Sequence, residues 1–245
     1  MRYFIFFLLV IPVCIHSQNT IENRNSVAIG AGFFHTLLTD EYVSPNEYAG
    51  MSDYYGFTWE NQTHKKLVQF DVALNKAYKL KNHLSRAKYG YFLFHYRHMY
   101  FLADSSLSSD RFSFCLGPGV SLFYSDRSQI YVPINSSFGS GSVDFNARIE
   151  ATISRKFSLA SQLLIAAVSY ANKSKPITTQ QTNPGYQLLT VLTFPNVEFD
   201  LRGRFNISKL FYAQLVYSLS YQETSRWDYY RRIEDRIFMQ LGIQF

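Results

Sequence analysis

The side chains with chemistry to offer are few and scattered. Beyond the first 17 residues the histidines are His35, His64, His83, His95 and His98. His95 and His98 lie three apart in "KYGYFLFHYRHMYFL"; in a strand they point to opposite faces and cannot share a metal ion. Cys14 and Cys115 are the two cysteines, and only Cys115 lies outside the leader, so the rest of the chain closes no disulfide and offers zinc no cysteine pair. No HExxH, GxSxG, Walker or dinucleotide-glycine motif occurs, and "GSGSVD" (139–144) reads as a loop entering a strand. Two stretches set a histidine near hydroxyls or acids: "FFHTLLTDE", with His35, Asp40 and Glu41, and "RHMYFLADSS", with His98, Asp104 and Ser105. Acyl chemistry needs a nucleophile, a base and an orienting acid in mutual contact, and neither stretch matches such a signature. The sequence therefore points to no cofactor and no metal, and away from an enzyme.

The charged residues do show a pattern. In "SVDFNARIEATIS", Asp144, Arg148 and Glu150 alternate with Val143, Phe145 and Ile149; in "NVEFDLRGRF", Glu198, Asp200, Arg202 and Arg204 alternate with Val197, Phe199 and Leu201. Asp71 has the same place in "LVQFDVALNKAYKL", opposite Val68, Phe70, Val72 and Leu74. Period two is the signature of a strand with unlike faces. "LFYAQLVYSLSYQ" and the closing "RIFMQLGIQF" repeat it, the latter with Ile237, Met239, Leu241, Ile243 and Phe245 on one face. The sign of the charges is mixed along each run. Mixed charge lining a narrow lumen can pair, whereas unpaired buried charge is expensive. Asp71, Asp144, Arg148, Glu150, Glu198, Asp200, Arg202 and Arg204 are accordingly the candidate lumen charge network.

Less regular strands are expected near 26–38, 88–102, 110–124, 157–171 and, most weakly, 128–135, making about ten in all, with eight possible. The stretch 88–102 is apolar on both faces, so its inner face is not assigned by pattern. Short links are expected near 81–87, 154–157 and 204–208, and longer ones near 39–65, 172–186 and 222–232. Antiparallel strands with tight turns at one end and long loops at the other describe a transmembrane β-barrel. The runs also exceed the roughly 9–11 residues that cross a bilayer. A soluble barrel would turn the same apolar residues inward. Long strands, Tyr and Phe near strand ends and the C-terminal stripe favour the membrane.

Bulk composition agrees. Of 245 residues, 18% are aromatic, with 22 Phe and 19 Tyr, which calls for a large β surface or two water–lipid interfaces to hold the rings. Mean hydropathy is −0.13, too polar for a bundle of membrane helices. The opening "MRYFIFFLLVIPVCIHSQN" has a basic start, an apolar stretch from Phe4 to Val13 and small Ser17 before a cleavage point. That is a secretory signal peptide, 1–17, well short of the roughly 20 residues of a spanning helix. Ile11-Pro12-Val13 lack the small residue that precedes a lipidated cysteine. Losing Arg2 takes the net charge from +6 to +5, with no basic run, so nucleic acid is not an expected partner. No linker divides residues 18–245, which read as one domain.

With these residues in view, the chain resembles a small outer-membrane β-barrel protein of Gram-negative bacteria. The leader ending in "SQ" is similar to those of the Bacteroidetes group. In that family the last strand carries alternating apolar residues and a terminal aromatic, which the barrel assembly machinery recognises. The resemblance assigns that role to Ile237, Met239, Leu241, Ile243 and Phe245. It implies outer-membrane lipid and the assembly machinery as partners, and the outer membrane as location. It carries no specific activity. Three functions stay open: a structural or binding module that presents loops or joins an envelope complex, a narrow channel, and a lipid-modifying enzyme. "YVSPNEYAGMSDYYGFTWENQ", with Tyr42, Tyr48, Tyr54, Tyr55, Phe57 and Trp59, is expected as a loop for protein or glycan contact.

Overall fold

The computed structural model describes residues 23–40, 44–75, 78–81, 86–102, 112–129, 135–173, 187–225 and 229–245. The stretch expected as a signal peptide, 1–17, lies outside them, as do Glu41, Tyr42, His83, Asp104 and Ser105. The described residues form twelve strands: β1 (Arg24–Asp40), β2 (Ser44–Gln62), β3 (Lys66–Asn75), β4 (Tyr78–Lys81), β5 (Arg86–Phe101), β6 (Phe112–Gln129), β7 (Asn135–Thr152), β8 (Phe157–Lys173), β9 (Gln187–Thr190), β10 (Asn196–Asn206), β11 (Phe211–Thr224) and β12 (Tyr230–Gln244). They make ten staves, because β3 and β4 share neighbours β2 and β5, while β9 and β10 both pair with β8. All pairings are antiparallel, and β1 bonds both β2 and β12, which closes an antiparallel barrel.

The alternation sets the two faces. On β12, Ile237, Met239, Leu241 and Ile243 are each about half exposed on the outer wall, while Phe238 and Gln240 are buried inside. Phe245 does not fray. Its N–H donates to Asn25 O at 2.9 Å and its C=O accepts from Asn25 N at 2.9 Å, beside the β1–β12 seam. On β7, Val143, Phe145 and Ile149 point outward and Asp144, Arg148 and Glu150 inward. The apolar face is therefore outside, the reverse of a soluble barrel.

The count of ten staves is made up differently from the expected strands. Residues 44–62, expected as loop, form the 19-residue strand β2. Tyr48 and Tyr54 face the lumen, and Tyr55 and Phe57 face outward. Gly50, Ser52, Gly56 and Thr58 share the inner face with the tyrosines, and Asp53 breaks the apolar outer face, so neither face reads as one polarity. Of the strand expected at 128–135, residues 128–129 belong to β6 and Asn135 opens β7, while 130–134 lie outside the described residues. Much of 222–232 is also strand, since β11 ends at Thr224 and β12 starts at Tyr230.

β8 carries a bulge. Val143 pairs with Val168 but Asp144 pairs with Ala166, so Ala167 is extra. Below it Ala160, Gln162 and Leu164 face the lumen; above it Ser169, Ala171 and Lys173 do. One added residue thus exchanges the faces of the strand's upper part.

The start of β1 and Phe245 share one rim with three tight turns. Thr63, Ser154 and Ser208 each fold their hydroxyl back on the turn: Lys66 N donates to Thr63 Oγ1 at 3.2 Å, Phe157 N to Ser154 Oγ at 3.1 Å and Phe211 N to Ser208 Oγ at 3.0 Å. Short turns of this kind mark the periplasmic rim of outer-membrane barrels.

Candidate functional site

The lumen is occupied by side chains at three levels. At the turn end, Glu60 on β2 is the hub. Arg148 Nη1 on β7 donates to its Oε1 at 3.0 Å, and Arg202 and Arg204 on β10 stand at 3.7 and 3.8 Å. Arg148 also holds Glu150 at 2.8 Å. The Arg204 guanidinium lies 3.5 Å over the Tyr212 ring and donates to Gln244 at 2.6 Å. That ring fills the space over Gly242, where an added Cβ would come within 2.3 Å of it. Glycine is required there by close approach, not by dihedral angle.

At mid-height, Arg97 on β5 pairs with Asp71 on β3, and its Nη2 donates to His95 Nδ1 at 2.7 Å. Arg236 on β12 donates to Glu198 at 2.6 Å and to Ser218 at 2.6 Å. Arg202 donates to Asp200 at 2.8 Å and lies 3.8 Å from Asp71. A cavity of about 20 Å³ sits among these groups, room for about one water. Asp144 makes no ion pair here; it accepts from the hydroxyls of Ser121 and Ser142.

Toward the other end the filling turns aromatic. Phe138 stacks on Tyr230 with centroids 4.5 Å apart, Phe34 meets Tyr91 edge-on at 5.2 Å, and Phe123 and Phe194 close the gap. Arg232 lies 3.7 Å over Phe123 and pairs with Glu234 at 3.4 Å. Asp40, buried at the top of β1, accepts from Lys173 at 2.6 Å and Arg127 at 2.9 Å.

All eight candidate network residues thus point inward. The geometry joins Asp71, Asp200 and Arg202, and separately Arg148 and Glu150, while Glu198 binds partners that were not among the eight. Glu60, Arg97, Arg236, Arg232 and Glu234, with Asp40, Arg127 and Lys173 at the far end, are lumen charges outside the expected network. Glu60 hides inside the expected loop. Arg97 and His95 sit in the stretch whose inner face had no pattern. Arg236 opens the last ten residues, and Arg232 and Glu234 continue the inner face of β12 just before them; following that strand's period backward would have found them.

Among the described residues the histidine stretches assemble no catalytic set; Glu41, Asp104 and Ser105 lie outside those residues. His35 is on the outer wall, its Nδ1 3.2 Å from Asp235 Oδ1, while Asp40 is in the lumen. His98 faces outward and stacks on Tyr100 with centroids 5.0 Å apart. Among the described residues no three His, Cys, Asp or Glu side chains gather as a metal site. What this arrangement does chemically is neutralise and fill: nearly every buried charge meets an opposite one, and the pairs tie non-adjacent staves together.

The fold is that of outer-membrane β-barrels. The outer membrane protease OmpT from Escherichia coli superposes with a TM-score of 0.54 at 7% identity, covering 92% of this chain and 97% of that one. The translocator domain of the autotransporter NalP from Neisseria meningitidis gives 0.45 at 8% identity, over 91% and 88% of the two chains. The attachment invasion locus protein Ail of Yersinia pestis gives 0.38 at 10%, over 92% and 100%. At such identities the likeness extends to the fold alone. No protein-family model matches the sequence, and no curated protein matches it either.

Proposed function

We propose that this chain is an outer-membrane barrel of a Gram-negative envelope that works as a rigid binding or structural module and not as a pore. The filled lumen carries this reading. A solute path would have to separate Arg97 from Asp71, Arg202 from Asp200 and Arg236 from Glu198 at one level, then displace the stacked rings above. The leader exports the chain, and the tight turns face the periplasm. The ends of the staves away from the termini face outward, where they meet an envelope partner. The test is paired. Purified barrel in planar bilayers is expected to give no stepwise conductance, and mild-detergent extraction is expected to bring down a stoichiometric partner. Steady conductance of the folded protein, with nothing co-purifying, would reverse the reading in favour of a narrow channel.

The C-terminal stripe acts in this reading as the address for the barrel assembly machinery. The Phe245 ring is 70% exposed, so it packs little against the barrel. Deleting Phe245 is expected to lower insertion severalfold while costing barrels already inserted only about 1–3 kcal/mol, the worth of two backbone hydrogen bonds. Pulse-labelled insertion and the unfolding midpoint measure the two separately. Unchanged insertion would remove the address.

A further inference from the structure

The outer wall carries one concentrated set of cations. β4 and β5 form a hairpin in which Lys79 faces Lys88 and Lys81 faces Arg86 directly across the ladder. All four are exposed on the outer face, while Leu80, Ala87 and Tyr89 between them fill the lumen. Like charges directly opposite one another destabilise a strand pair. None of the four makes an ion pair among the described residues. Glu47 and Asp53 on β2 and Asp126 on β6 are the exposed acids on the flanking strands; Glu47 is taken by Arg231, and none of the three lies within ion-pair distance of the four cations, leaving the patch net positive.

Position gives the patch its meaning. Directly below it, Leu74, Phe92 and Tyr124 lie in register across β3, β5 and β6, each between 41% and 52% exposed on the apolar wall. The four cations therefore start where the apolar band stops, at the height of lipid headgroups. On the neighbouring staves β2, β1 and β12 the exposed charges are paired instead, His35 with Asp235 and Arg231 with Glu47. A cationic patch on one side only is a site and not a general belt.

We infer that Lys79, Lys81, Arg86 and Lys88 form a binding site for the phosphate groups of an outer-leaflet lipid headgroup. A phosphate carries up to two negative charges and three acceptor oxygens, so it can bridge the facing pairs and turn their repulsion into attraction. The acyl chains of the same molecule lie along Leu74, Phe92 and Tyr124. The inference rests on the membrane reading and on the outward orientation of this rim.

The probe is a bisphosphorylated lipid A and the same glycolipid with its phosphates removed, offered to folded barrel in non-ionic detergent and counted by native mass spectrometry. The wild type is expected to prefer the phosphorylated form by at least about tenfold, from about four surface cations. K79Q/K81Q/R86Q/K88Q is expected to bind both forms equally, with K79Q/K88Q and K81Q/R86Q intermediate. Removing like-charge pairs should leave folding intact, and the double variants decide the matter if the quadruple variant does not fold. K65Q/K156Q/K209Q at the opposite rim is expected to keep the preference. An unchanged preference in the four-residue variant, an equal loss in the opposite-rim control, or displacement of the lipid by millimolar inorganic phosphate would each overturn the assignment. A wild-type chain with no heat-modifiable gel shift would instead overturn the membrane reading itself.

Discussion

Replacing Glu60 with Ala is expected to cost the folded barrel about 3–5 kcal/mol, the usual penalty for stranding a buried charge partner. Glu60 is 3% exposed and takes one arginine from β7 and two from β10. Its removal leaves three guanidiniums crowded together with Glu150, Asp200, Asp71, Gln244 and Asn206 as their remaining partners. The size matters because burying an ion pair gains little over burying apolar groups, whereas halving one is costly. Glu60→Met combined with Arg148→Met should therefore recover part of the loss, and the non-additivity measures their coupling. The readout is the urea midpoint for loss of the heat-modifiable band in detergent. A loss of less than about 1 kcal/mol for Glu60→Ala, outside the range for a stranded buried charge, would mean that the cluster is solvated and the lumen open.

Replacing Lys173 with Met should have an effect of similar size by another route. The extra residue Ala167 brings Lys173 to the inner face of β8, where Asp40 accepts from its ammonium at 2.6 Å and from Arg127 at 2.9 Å. Taking the ammonium away leaves the buried carboxylate to Arg127, a stranding worth about 3–5 kcal/mol. Deleting Ala167 should cost far less, because Ala166, Val168 and Ser169 then run in, out, in and Lys173 keeps its place. The folded-band midpoint measures both variants. A Lys173→Met barrel as stable as the parent would show that the Asp40 cluster is solvated, and an Ala167 deletion that falls as far would show that the extra residue does more than set the faces.

Where one face was uniformly apolar, the sequence was legible down to the face of each residue. β7, β10, β11 and β12 read this way, because lipid tolerates only one kind of outer residue. The lumen imposes no such uniformity. Its inner face runs from Arg97 and His95 through Leu93 to Tyr91 and Tyr89 along β5 alone, so the strand looked apolar on both sides. β2 vanished from view for the same reason, its inner face mixing Tyr48 and Tyr54 with Gly56, Thr58 and Glu60. The bulge at Ala167 and the one-residue shift in pairing between β3 and β4 are invisible to any fixed period. The network was half legible: its members on regular strands showed themselves, but which acid meets which base depends on staves that the order of the chain does not place together.

The three hydroxyl-folded turns bear on the order of assembly. Each closes with bonds among residues no more than three apart, so β2–β3, β7–β8 and β10–β11 can each zip from their own turn with almost no loop-closure entropy. The β1–β12 seam joins Ser26 to Gln244 and has no such help; its ends must be brought together across nearly the whole chain. Local hairpins first and the seam last is the sequence of events with the smallest entropic barrier. It leaves the edges of β1 and β12 as the pair of unsatisfied backbones on which a folding catalyst could act.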